Sequence, residues 1–312
     1  MQTYLRKALL GLMITCTCYQ NIHAQTDADG IMMGKNLYCL GVMGAQSKWD
    51  NYWEGTLLRT NQNLGTIRTS MIGPMGSMGI SKNLNLLFSL PYVSTKASAG
   101  QLKGFKGLQD LSIWAKYRAL RIKQNKSSFS VFTIAGITTP VSNYVKDYLP
   151  LSIALGSNNL TLRGMLDYQY KNWFSTISGS LVLRSNINLD RQAYYTTQMI
   201  YSNKIDMPNV LQYNFRTGFR NKEIVAEVVY DQWLTQGGFD ITKNNMPFPS
   251  NRMNQGRIGI NGKYEPIKWK GLSLTSAAFI TTSGRNIGKS TSFQLGVFYI
   301  LNVSKKDQHK KN

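Results

Sequence analysis

Histidine is almost missing from this chain: there are two in 312 residues, His23 and His309, both outside the stretch that shows regular patterning. Cysteine is nearly as scarce, with three, and Asp and Glu number 15 against 36 Lys and Arg. Between Asn36 and Leu301 there is no continuous apolar run of the roughly 20 residues that a membrane helix needs. Each absence removes a class of function. Without a histidine in its body, the chain lacks the usual base of membrane-embedded hydrolases and acyltransferases, and no Ser–Lys motif replaces it. Metal centres built from His and Cys go by the same count. Nothing in the sequence asks for a cofactor.

What is present is alternation. From Gln212 to Arg220, Tyr213, Phe215, Thr217 and Phe219 fall on one face, and Gln212, Asn214, Arg216, Gly218 and Arg220 on the other. A period of two is the mark of a strand with one apolar and one wet side. The first residues give such strands an address. Arg6 and Lys7 precede the apolar stretch Ala8–Cys18, too short to span a bilayer, and Ile22 and Ala24 offer the −3 and −1 positions of a cleavage site. Residues 1–24 therefore read as a signal peptide. Its removal leaves Cys39 alone, so no intrachain disulfide can form, and lowers the net charge from +21 to +19 through loss of Arg6 and Lys7. The remaining basic residues are scattered, with no basic helix or recognition motif, which argues against nucleic acid and for anionic lipid head groups.

Strands of about ten residues suit a tilted crossing of the hydrocarbon layer. They are expected near 36–46, 66–80, 84–94, 109–119, 128–139, 160–170, 173–185, 208–220, 223–235, 256–265, 271–282 and 291–301. Short polar turns alternate with long connections, as in bacterial barrels with periplasmic turns and external loops, so both chain ends come out periplasmic. The stretch Gln46–Gly65 reads as a first loop or as an extra hairpin, giving twelve to fourteen strands. The expected fold is an all-β antiparallel transmembrane barrel over 36–301, preceded by a short extension, 25–35, and followed by a basic polar tail, 302–312. A secreted β-sandwich is the alternative, but its strands run shorter.

The alternation sends Lys116, Arg118, Arg163, Asp167, Arg216, Arg220 and Glu227 into the lumen, with Asp231 beside them. They read either as a charge-screening constriction or as a salt-bridged network that fills a narrow barrel. The densest aromatic and polar cluster is Trp49-Asp50-Asn51-Tyr52-Trp53-Glu54-Gly55, followed by Arg59, Asn61 and Asn63. Trp49, Tyr52, Trp53, Glu54 and Arg59 are accordingly candidates for a binding pocket, and equally for an interfacial belt. The segment Pro91–Leu111, rich in glycine and small residues, reads as a flexible external loop. Asp27 and Asp29 have a calcium-like spacing without the remaining ligands of such a loop and read as solvated.

Several short motifs resemble a known family. Tyr52-Trp53-Glu54-Gly55, Arg59-Thr60-Asn61, Gly79-Ile80-Ser81-Lys82-Asn83-Leu84, Leu90-Pro91-Tyr92 and Gly107-Leu108-Gln109-Asp110-Leu111 are similar to the outer-membrane family named for the meta-pathway of phenol degradation, itself related to long-chain fatty-acid channels. The resemblance covers roughly residues 30–120. It implies a monomeric barrel in a Gram-negative outer membrane for passive uptake of small hydrophobic or aromatic compounds, and it carries no catalytic residues. Outer-membrane lipid, lipopolysaccharide and the barrel-assembly machinery are the implied partners. Two departures stand out: the chain continues past Leu301, and Gln25–Lys35 is short for the N-terminal plug of the fatty-acid channels. The competing expectation is a closed structural or surface-interaction barrel whose lumen is packed by charge.

Overall fold

The computed structural model describes residues 25–242 and 245–303. The expected signal peptide and nearly all of the expected tail lie outside the described residues. Twelve strands form the wall: β1 Leu37–Trp49, β2 Ile67–Gly79, β3 in two halves (Leu84–Ser89 and Tyr92–Ala97), β4 likewise (Lys106–Leu108 and Asp110–Gln124), β5 Ser127–Pro140, β6 Asn159–Tyr170, β7 Trp173–Arg184, β8 Val210–Arg220, β9 Ile224–Thr235, β10 Asn254–Tyr264, β11 Leu272–Arg285 and β12 Thr291–Asn302. Each pairs antiparallel with its sequence neighbours, and β1 pairs with β12 from Leu37↔Asn302 to Lys48↔Thr291, so the sheet closes on itself. A closed ring leaves no unpaired edge, the condition for strands to cross a membrane.

The wall is irregular in four places: in the β2–β3 ladder, twice along β4, and between β10 and β11, where the register shifts between Gly256 and Arg257. Between Ile72↔Tyr92 and Met75↔Ser89 the β2–β3 ladder keeps its register but is interrupted at Gly73-Pro74 and Leu90-Pro91. Proline supplies no N–H to a ladder, so Pro74 opposite Leu90 and Pro91 opposite Gly73, in adjacent rungs, split β3 in half. One strand further on, β4 absorbs an extra residue at Gln109, whose N–H is taken by the Pro91 carbonyl. A second shift, between Arg118 and Leu120, bends the far end of β4, which runs on to Gln124 rather than ending near 119.

Alternation sorts the two faces as expected. Leu162, Leu166, Ile177, Phe215, Val228, Ile260 and Leu295 are exposed on the outer wall, while their strand neighbours point inward. Such a surface is stable only against hydrocarbon, which makes the barrel transmembrane. Tyr117, Tyr170, Trp173, Tyr264 and Tyr299 ring the outside near the short turns, the place where amphipathic rings favour the head-group layer. Every short turn there carries an exposed lysine: Lys82, Lys126, Lys171, Lys222, and Lys268 with Lys270.

The stretch read as a possible thirteenth and fourteenth strand does form a hairpin, Asn51–Glu54 with Leu57–Thr60. It stands apart as its own two-stranded sheet and adds nothing to the wall. The remaining long connections fold over the same end of the barrel. Ile187, Leu189, Tyr194, Ile205 and Met207 make a small buried cluster there, joined by Leu155 and Phe248 from two other loops.

Candidate functional site

The chain enters β1 from inside the barrel. Asn36, in the left-handed region at φ 63°, turns the backbone out of the lumen and into the wall. Before it, residues 25–35 occupy the lumen. Met33 packs against Leu37, Cys39, Phe298 and Ile300, and Ile31 packs against Phe174 and Val225. The turn at 26–29 is tied by one carboxylate. Asp29 accepts hydrogen bonds from the Thr26 N–H (2.5 Å), the Thr26 hydroxyl (2.9 Å) and the Ile31 N–H (3.0 Å). Its fourth partner is Lys116 of β4, 3.0 Å away. The Lys116 ammonium also donates to the carbonyls of Thr26 (2.9 Å) and Asp29 (2.5 Å), and its side chain has no exposed surface. All three ammonium donors are thus satisfied by the N-terminal segment, the condition under which a buried lysine can stay charged.

Beside this anchor lies a second buried pair. Arg220 contacts the Asp167 carboxylate at 3.2 Å, Thr176 donates to it at 2.6 Å, and the guanidinium stacks 3.8 Å from the centre of the Phe174 ring. Gly30 passes directly over Asp167, so closely that any side chain at position 30 would collide with the carboxylate.

Above the segment is a cavity of about 660 Å³, lined by the segment and by all twelve strands. Its two sides differ. On β6 to β10 it is polar, with one hydrogen-bonded chain running Asn261–Glu227–Arg216–Asn214–Asp231–Arg257. The Arg216–Glu227 contact in it is 2.8 Å, with Glu227 buried and Arg216 half-buried. Opposite, Met43, Met75, Leu87, Trp114, Phe279 and Phe298 make an apolar side. Arg163 sits at the boundary between cavity and segment, with one guanidinium nitrogen 2.7 Å from Asp27 and another 3.2 Å from the Gln212 amide oxygen.

No family model matches the chain, and no curated protein matches it in sequence. Solved structures do. An outer-membrane channel from Pseudomonas putida F1 superposes with a TM-score of 0.70 at 12% identity, covering 89% of this chain and all of that one. The translocator domain of the autotransporter NalP from Neisseria meningitidis aligns at 0.44 and 10% identity, over 87% of this chain and 90% of that domain. The first likeness is one of fold: a closed barrel of the outer-membrane type.

The residues singled out from the sequence separate into four groups. Arg163, Arg216 and Glu227 line the cavity. Lys116, Asp167 and Arg220 point inward but lie beneath the N-terminal segment, which shields them from the cavity. Arg118 is inward only in parity: near the turn end of β4, it donates to the Lys82 carbonyl and the Asn83 amide, bracing a turn. The aromatic cluster lies elsewhere. Trp49 and Trp53 are pressed against Gly288 and Gly284, Tyr52 bridges to Gly288, and Glu54 pairs with Arg59 at 2.9 Å. None of these five lines the cavity: Trp49 ends β1, and the other four lie in the external hairpin, where Glu54 and Arg59 pair with each other. Asn286 fixes that contact by accepting from the Gly55 N–H and donating to Asp240, which Arg285 also grips.

The reading of Asp27 and Asp29 as solvated is overturned, since each is the counter-ion of a lumen cation. The reading of Pro91–Leu111 as a flexible external loop is corrected: Tyr92–Ala97, Lys106–Leu108 and the start of Asp110–Gln124 are wall strands, and only the stretch around Gly100 and Gly104 forms an external turn. Arg257, Asn261 and Lys263 were missed, although the outward pair Ile258 and Ile260 places them on the inner face by the alternation used elsewhere.

Proposed function

We propose that this protein is an outer-membrane channel for passive entry of small molecules with an apolar or aromatic body. The observation that carries the reading is the lumen cavity of about 660 Å³, a volume in the range of small-molecule sites, bounded by every strand of the barrel. The apolar side formed by Met43, Met75, Trp114, Phe279 and Phe298 supports an apolar solute, and the motif resemblance to the phenol meta-pathway family points the same way. In this orientation the lysine-bearing turns face the periplasm and the long loops face outward. The N-terminal segment is the stopper at the periplasmic side.

A second reading, a barrel closed for good, draws on the complete pairing of Lys116, Arg216 and Arg220 with carboxylates. Planar-bilayer recording separates the two. The full-length barrel should show rare openings, and a variant lacking residues 25–33 should show frequent discrete ones, blocked by a small aromatic solute. Silence from both folded proteins would leave the structural barrel.

A further inference from the structure

Resting on the channel reading, we infer that Arg163 receives the carboxylate of a small amphipathic acid, and that Asp27 of the chain's own N-terminal segment occupies that place when the channel is shut. The lumen cations divide by the origin of their partners. Arg216 and Arg257 are paired with Glu227 and Asp231 of the wall, Arg220 with Asp167, and Lys263 with Glu265 just past the end of its own strand. Lys116 and Arg163 are paired only with carboxylates of the N-terminal segment.

Those two contacts differ in kind. Lys116 is enclosed, held by three acceptors, and acts as the root of the stopper. Arg163 meets a single carboxylate. Its own side chain is 10% exposed, while that of Asp27 is 29% exposed and borders the cavity. A solute in the cavity can therefore reach the Asp27 contact without disturbing the root. The guanidinium is aimed in advance, because Gln212 holds its second nitrogen and Ser180 holds Gln212 at 3.0 Å. A fork fixed in this way matches a carboxylate better than it matches a point charge of another shape.

The rest of the cavity sets what must accompany the carboxylate. Asp27 is tethered, so it competes at an effective concentration on the order of millimolar. A bare carboxylate such as acetate gains nothing further and loses to it. An acid whose body also reaches the apolar side, near Trp114 and Phe279, gains buried area that Asp27 lacks. The occupant is thus an aryl- or alkyl-carboxylate, with its head on Arg163 and its body on the opposite side.

The test is uptake into proteoliposomes at pH 7 of 3-phenylpropionate, its neutral amide and acetate, through wild type, Arg163→Gln and Asp27→Asn. Native folding is verified for each by heat-modifiable gel mobility. Wild type should favour the acid over the amide by about tenfold, the ratio a charge-assisted contact supports. Arg163→Gln should erase that preference while still admitting the amide, and Asp27→Asn should let acetate in. Equal uptake of acid and amide by wild type, or a preference that survives Arg163→Gln, overturns the assignment and leaves the channel standing. Should Arg163→Gln not fold, Arg163→Lys takes its place; it should weaken the preference, and an unweakened one overturns the assignment equally. If no folded protein admits any of the solutes, the Asp27→Asn variant included, the channel reading falls and this inference with it.

Discussion

Two stretches near the start of the chain make an instructive pair. Trp49–Arg59 is conspicuous, with two tryptophans, a tyrosine and a glutamate in a few residues, and it folds into an external hairpin that braces a neighbouring loop. Residues 25–33 are plain, yet they lie in the lumen and supply the carboxylate partners of two lumen cations, one buried and one half-buried. What separates them is where their partners come from. The hairpin bonds largely within itself and to one loop, whereas the plain segment supplies the carboxylates that pair with Lys116 on β4 and Arg163 on β6, the only ones to do so among the described residues. Composition marks a segment as sticky; complementarity to distant groups makes it functional.

The comparison breaks most severely at its root. Lys116→Met should leave the Asp29 carboxylate in the lumen without its cation, costing the docked stopper roughly 3–5 kcal/mol. The expected result is a channel that is open most of the time, with a cysteine placed at position 28 becoming reactive to a water-soluble thiol reagent. A closed lumen in a folded Lys116→Met barrel would mean that the segment is held by apolar packing alone. Next in size is Asp167→Ala, which strands Arg220 beneath Gly30 and should lower barrel stability by about 3 kcal/mol in urea unfolding. On the other side of the comparison, Trp53→Ala should cost the hairpin on the order of 2 kcal/mol of local stability and make it protease-sensitive. Barrel unfolding and conductance should both stay unchanged, and a change in conductance would bring the hairpin into the pathway after all.

The smallest effect concerns pH. The hydrogen bonds from Arg285, aided by Asn286, hold the Asp240 carboxyl below its usual range. A depressed carboxylate stabilises the docked hairpin above its unfolded value, about 3.9, and loses that contribution as pH falls through the lowered folded value. Limited proteolysis of the hairpin should therefore be the same at pH 7 and pH 5. A release within that window would show that another group controls the contact.

Much of the wall was legible because a half-buried strand writes itself locally. Every second residue reports its face, as Leu160, Leu162, Leu166, Tyr168 and Tyr170 do on the outside of β6. Turns announced themselves by their polar dipeptides, such as Lys171-Asn172. Inward parity for Arg163, Asp167, Arg216 and Glu227 followed from the same rule. The split of β3 and the bulge in β4 were not foreseen, since the interruption depends on Pro74 and Pro91 falling in adjacent rungs of a ladder whose register local pattern does not state. Nor was the stopper. Asp27 and Asp29 are two acids in an acid-poor chain, and their partners lie more than eighty positions away. Arg118 shows the limit of parity: the alternation points it inward, but depth along the strand puts it at a turn.

The N-terminal segment is joined to the wall through Asn36 with no spacer, so on the channel reading proposed above gate and pore would be one polypeptide in fixed one-to-one ratio. Closure is then a first-order event, independent of how much protein is made and of any second gene product arriving in time. On that reading each copy would carry its own lid into the membrane, and a cell that inserts a hundred of them would leak no more through each than a cell that inserts one.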